Sequence, residues 1–101
     1  MNDEKMARSK LRSNCQKYMD KDTIVILDSM NYIKGFRYEL FCLMRSFKTT
    51  YCVIYCNTKV EKAREFHKNN PNGMSEELFE DYCKRMEEPH RKSSILFVEF
   101  I

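Results

Sequence analysis

The sequence predicts an α/β fold with a mostly parallel sheet, and three observations predict it. Residues 23–28 and 50–56 are β-branched and apolar runs, the pattern of strands buried on both faces. Amphipathic stripes at helical spacing stand before, between and after them. The order is helix, strand, helix, strand, helix, helix, strand, which suits parallel strands joined by covering helices.

The elements follow in turn. Leu11, Cys15, Tyr18 and Met19 form an apolar stripe, predicting a helix from about Met6 to Met19. Asp20 to Asp22 is a polar turn. Thr23 to Asp28 reads as a strand tipped by an acid. After Gly35, the residues Phe36, Leu40, Leu43, Met44 and Phe47 recur at helical spacing, predicting an amphipathic helix that ends near Ser46 to Thr49. "TTYCVIYC" is a second buried strand. Thr58 and Glu61 have the spacing of a capping box, opening a helix that "NNPNG" ends. Ser75 caps a last helix, whose first turn carries Glu76 and Glu77 as the macrodipole favours. "ILFVEF", Ile95 to Phe100, is a candidate third strand.

A chain of 101 residues fits one domain, taken as 1–101. Hydrophobic residues make up 43% and charged residues 33%, a globular rather than disordered balance. The formal charge of +3 permits an anionic partner without requiring one. Five cysteines and two histidines follow no metal-ligand spacing, so free thiols are expected and no metal cluster. The N-terminus has no signal-peptide core, and no apolar run is long enough to span a bilayer. A soluble intracellular protein, with no membrane partner, is expected.

An acid at the carboxyl end of a buried strand is where open α/β sheets bind ligands, and where phosphate-loop NTPases hold Mg²⁺. Asp28 has that place. Taken alone, Asp28 or Ser29 would more simply cap the following helix. Lys34 and Arg37 alternate with Tyr32, Phe36 and Tyr38, a mixture that holds phosphates or stacks bases. The chain carries only two glycines and no G-x-x-x-x-G-K-[ST] loop to cradle phosphates.

"KLRS" at Lys10 to Ser13, "IVILDSMNYIKGFRYEL" at Ile24 to Leu40, "TTYCVIYC" at Thr49 to Cys56 and "RMEEP" at Arg85 to Pro89 carry a resemblance. They resemble consecutive blocks of the Elongator-associated phosphate-loop ATPases, the killer toxin insensitivity twelve or chromatin-associated family. The resemblance spans nearly the whole chain but only the middle of the family's ATPase domain. It implies a partial three-layer α/β/α P-loop NTPase domain lacking the loop-bearing strand, with lid-like helices over 59–88. It further implies binding of Mg²⁺ and ATP, and Elongator and tRNA as partners in wobble-uridine modification, in the cytoplasm, the nucleus or both.

By the same resemblance Asp28 corresponds to the metal-associated acid. Lys34, Arg37 and Arg85 are candidate nucleotide or RNA contacts, Arg85 through the lid-like helix. The chain departs from the family where "HRKSSILF" replaces an N-R-W-D-x-P-L-F segment, and in having neither the phosphate loop nor the C-terminal tRNA-binding part. Loss of the loop-bearing strand would leave Ile24–Leu27 and Tyr51–Tyr55 flanking a gap. Each buried unsatisfied backbone group there costs about 1–3 kcal/mol, against a total stability of about 5–15 kcal/mol for a small domain. The expectation is a chain of marginal stability that does not hydrolyse ATP by itself. A non-enzymatic Elongator- or tRNA-binding module is the alternative. The kinase acting on seryl-tRNA of the selenocysteine pathway is also similar. It carries a second acid where this chain has Ser29, and the missing base counts against that activity.

Overall fold

The computed structural model describes residues 2–90 and 96–100. The chain divides into two compact units, Met1–Tyr51 and Cys52–Ile101, where the sequence predicted one domain over 1–101.

The first unit holds helices α1 (Asn2–Tyr18) and α2 (Lys34–Ser46), joined by a long irregular segment. Asp3 and Glu4 in the first turn of α1 and Lys17 in its last complement the helix dipole. The two helices pack together. Cys15 of α1, Tyr32 of the connection, and Phe36, Leu40, Leu43 and Met44 of α2 are buried. Four of the five residues of the predicted α2 stripe therefore belong to the core of this unit, while Phe47, the C-cap, is 41% exposed. Burial also raises the pKa of the Cys15 thiol, because a thiolate there would lose its hydration.

The turn after α1 and the end of α2 each have a local cause. Asp20 accepts the Asp22 N–H at 2.8 Å, closing the turn after α1. Its carboxylate is held below the usual range, first by a side-chain hydrogen bond with Thr23 and then by the Asp22 N–H. At the end of α2, Lys48 has φ 54 and stands one residue past the Phe47 C-cap. The Lys48 N–H donates to Arg45 O at 3.0 Å and the Thr49 N–H to Met44 O at 3.2 Å, satisfying the last carbonyls of the helix.

Three expectations for this chain are corrected. Thr23 to Asp28 forms no strand. Ile24 is 88% exposed and Ile26 83% exposed, while Val25 and Leu27 are half-buried. The segment keeps the period-2 alternation of a strand, but among the described residues it pairs with no other strand. Second, neither Asp28 nor Ser29 caps α2. The N-cap is Ile33, with no side-chain hydrogen bond, five residues beyond Asp28 and out of its reach. Third, the capping box at Thr58 does not form. The next helix has Lys59 as N-cap, so Glu61 falls one position too early to reach back to it. The Thr58 N–H instead donates to Cys56 O at 3.0 Å.

The second unit contains β1 (Cys52–Cys56), α3 (Val60–Lys68), α4 (Glu76–Arg85) and β2 (Leu96–Phe100). β1 and β2 pair in parallel, with Cys52 opposite Leu96 and Cys56 opposite Phe100. Parallel strands need a long crossover, and both helices lie within it in sequence. β1 is shorter than the predicted 50–56. It is also not buried on both faces: Cys52, Ile54 and Cys56 are exposed, Val53 and Tyr55 half-buried. The predicted third strand is present as Leu96–Phe100, with Ile95 outside the described residues.

α4 begins as predicted, the Ser75 hydroxyl accepting the Leu78 N–H at 3.2 Å. α3 and α4 are joined by side-chain contacts. Arg64 donates to both carboxylate oxygens of Glu80, at 2.7 and 3.0 Å. The His67 ring stacks on Phe79 with centroids 4.6 Å apart. Gly73 sits close beside that stack: a Cβ there would lie 3.1 Å from His67 Cδ2 and 3.2 Å from the Asn70 carbonyl oxygen, so a larger residue would require its neighbours to yield slightly.

The hydrogen bond from Arg64 lowers the Glu80 pKa. A depressed folded-state value means stability that is present above the ordinary glutamate range and lost as pH falls through the folded value. Urea titrations at neutral and strongly acidic pH should show native chain losing more stability on acidification than Glu80→Gln. Identical losses would contradict the pairing.

Candidate functional site: the loop after Asp28

Asp28, Ser29 and Met30 are exposed. Behind them the chain reverses through Asn31, whose φ of 43° is left-handed backbone that asparagine tolerates better than most residues. Asn31 Nδ2 donates to the Leu27 carbonyl at 3.3 Å, bridging the loop from its end to the residue before the acid. Arg37, one turn into α2, donates from Nη1 to the Asn31 carbonyl at 2.8 Å. Tyr51 OH donates to the Arg37 carbonyl at 3.3 Å, and Tyr32 OH to Glu4 Oε1 at 2.8 Å. The loop bearing Asp28 is thus tied to both helices of the first unit.

Of the four residues singled out in the sequence, three lie in the first unit and one in the second. Asp28 is exposed at the head of the loop. Lys34 is exposed as the first residue of α2, a helix with no acid in its first turn. Arg37 is only 8% exposed, and its Nη1 donates to a backbone carbonyl of its own unit. Burying a guanidinium is costly unless its donors are occupied, and the Asn31 carbonyl occupies one. Arg85 lies in the second unit, with Nη2 2.8 Å from Asp81 Oδ2 and its guanidinium over the Tyr82 ring at 5.0 Å.

Asn31 and Tyr51 were not identified from the sequence, and Tyr32 only as one ring among the cations. A polar residue able to take left-handed backbone three residues after the acid was the available signal for Asn31. The hydroxyl contacts of the two tyrosines leave no signal, since only folding brings them to Glu4 and to the Arg37 carbonyl.

Among the described residues no group of three or more His, Cys, Asp or Glu side chains could hold a metal ion. Mg²⁺ is commonly held by one or two carboxylates together with the phosphates of a substrate. Asp28 supplies one carboxylate, and the chain has no phosphate-cradling loop motif. These residues alone do not make a MgATP site. The five cysteines are free. Among the described residues, no helix is long and apolar enough to cross a membrane.

Residues 1–94 match the family described as chromatin associated protein KTI12. The chain belongs to the KTI12 family. It is 39% identical over 95 residues to the KTI12 homolog of Oryza sativa subsp. indica, covering 89% of this chain and 31% of that protein. The Saccharomyces cerevisiae protein KTI12 is 43% identical over 89 residues, covering 87% of this chain and 28% of its own. The chain thus spans about a third of the length of the curated KTI12 relatives it matches. Among solved structures, Chaetomium thermophilum Kti12 in complex with ADP-AlF3 matches with a TM-score of 0.88 and 32% identity. That match covers 96% of this chain and 57% of the other. The resemblance of "IVILDSMNYIKGFRYEL" to this family therefore holds, and the segment built around Asp28 is a piece of KTI12 architecture.

The Arg37 clamp has a measurable consequence. Arg37→Leu removes a charge-assisted bond to a backbone carbonyl and should cost about 1.5–3 kcal/mol in urea unfolding. Lys34→Ala, at an exposed position, should cost less than about 0.5 kcal/mol. Equal costs would show that Arg37 does not hold the loop.

Proposed function

We propose that this chain is the acid-bearing portion of a phosphate-loop nucleotide-binding protein that works with Elongator in modifying wobble uridines of tRNA. One observation carries the reading. A KTI12 relative that this chain matches over 96% of its length was crystallised with ADP-AlF3, a nucleoside diphosphate beside a stand-in for a transferring phosphoryl group. Elongator and tRNA as partners rest on the family resemblance, as does a role in the cytoplasm or nucleus.

In this reading Asp28 is the metal-side carboxylate of a MgATP site that needs a phosphate loop in addition. Its exposure leaves it free to meet a ligand, and the Asn31–Arg37 network fixes the loop that bears it. Arg37 acts through that network rather than on a phosphate. Lys34, exposed at the start of α2, and Arg85 are the remaining candidates for a nucleotide or RNA contact, with Lys34 the less encumbered. The chain by itself does not turn over ATP. Its missing element is the backbone cradle that no side chain of this sequence replaces.

A thermal melt followed by circular dichroism, with and without MgATP, tests this directly. The expected result is a melt indifferent to MgATP, with no steady ATP hydrolysis. A midpoint that rises with MgATP, or hydrolysis abolished by Asp28→Ala, would place a working nucleotide site within these residues and overturn the reading.

A further inference from the structure

Lys5, Arg8 and Arg12 recur along α1 at spacings of three and four, which sets them on one face of the helix. With Ser9 of α1 and with Phe36 and Glu39 of α2 they line an open depression of about 330 Å³. Three cations therefore share this hollow with one carboxylate. Among the described residues, none of the three cations forms an ion pair or a hydrogen bond. Arg12 Nε is shielded from solvent and has no hydrogen-bond partner.

Two costs meet at this place. Like charges three and four residues apart repel along a helix, as Lys5, Arg8 and Arg12 do here. A guanidinium donor removed from water without an acceptor loses its hydration with no return. An anion in the hollow offsets both. A phosphate group suits the donor set, because guanidinium groups match its oxygens in pairs and an ammonium adds a point charge. The Ser9 hydroxyl supplies a neutral donor, and Phe36 an apolar wall.

We propose that the depression between α1 and α2 binds a phosphate group through Lys5, Arg8 and Arg12, with Glu39 as the opposing charge that limits affinity. The phosphate belongs either to a free phosphate compound or to a nucleic-acid backbone, which share this chemistry. The proposal does not rest on the nucleotide reading of Asp28, whose loop supplies none of these residues.

The test is a titration of the full chain, followed by amide NMR, with inorganic phosphate and separately with a short single-stranded RNA. Saturable shifts at Ser9 and Arg12 are expected. Arg8→Gln and Arg12→Gln should each weaken binding about tenfold, the scale of one charge-assisted hydrogen bond. Glu39→Gln should tighten it about threefold or more by removing a repelling charge. Lys17→Gln, on the same helix outside the depression, should leave it unchanged. If Arg12→Gln loses helix content, the exposed Lys5→Gln gives the same reading. RNA binding that falls steeply with salt and exceeds phosphate binding identifies a nucleic-acid backbone, and the reverse order a free phosphate compound. Three results each overturn the proposal: no saturable shift with either ligand, no gain from Glu39→Gln, or a loss from Lys17→Gln equal to that from Arg8→Gln.

Discussion

An extended backbone is stable only where a neighbour takes up its hydrogen bonds, and Thr23–Asp28 has no such neighbour among the described residues. The segment alternates like a strand, with Val25 and Leu27 turned inward and Ile24 and Ile26 outward. Two isoleucines exposed beyond four-fifths of their surface forgo on the order of 1.5–3 kcal/mol each of apolar burial. What holds the segment is therefore not its own run of β-branched residues. It is the structure on either side: the Asp20 turn before it, and the Asn31–Arg37 network after it.

That network explains why the loop has a defined shape without a sheet behind it. A left-handed Asn31 reverses the chain, its amide returns to Leu27, and a buried arginine anchors its carbonyl to α2. α2 is in turn fixed by the apolar stripe that packs it against α1. The chemistry of the loop thus depends on the packing of the helices. A KTI12 relative solved with ADP-AlF3 matches 96% of this chain at a TM-score of 0.88, and on this chain the braced loop leaves Asp28 exposed.

The parts of the fold legible in the sequence are those set by local physics or by a strong stripe. The Phe36, Leu40, Leu43 and Met44 stripe announced α2 and its buried face, and Ser75 announced the start of α4. β1 and its parallel partner were also readable from their apolar runs. The strand at 23–28 was misread because β-branched composition reports a preference for extended backbone, while a ladder needs a partner that composition cannot guarantee. The Thr58 box failed by one residue, since the spacing of a cap is informative only if the helix starts where the pattern says. At the candidate site, the sequence pointed to Asp28 from its place after an apolar run, and the structure leaves that side chain exposed. The bond from Arg37 to a carbonyl six residues back leaves no mark on a helical pattern.

Amide hydrogen exchange across Ile24 to Leu27, compared with Leu40 to Met44, shows whether the segment stands without a strand partner. An unpartnered extended segment braced only at its ends should exchange close to the rate of free backbone, while the core turns of α2 stay protected. Protection of Ile24 to Leu27 equal to that of α2 would mean that the segment has found a strand partner, and would contradict the account.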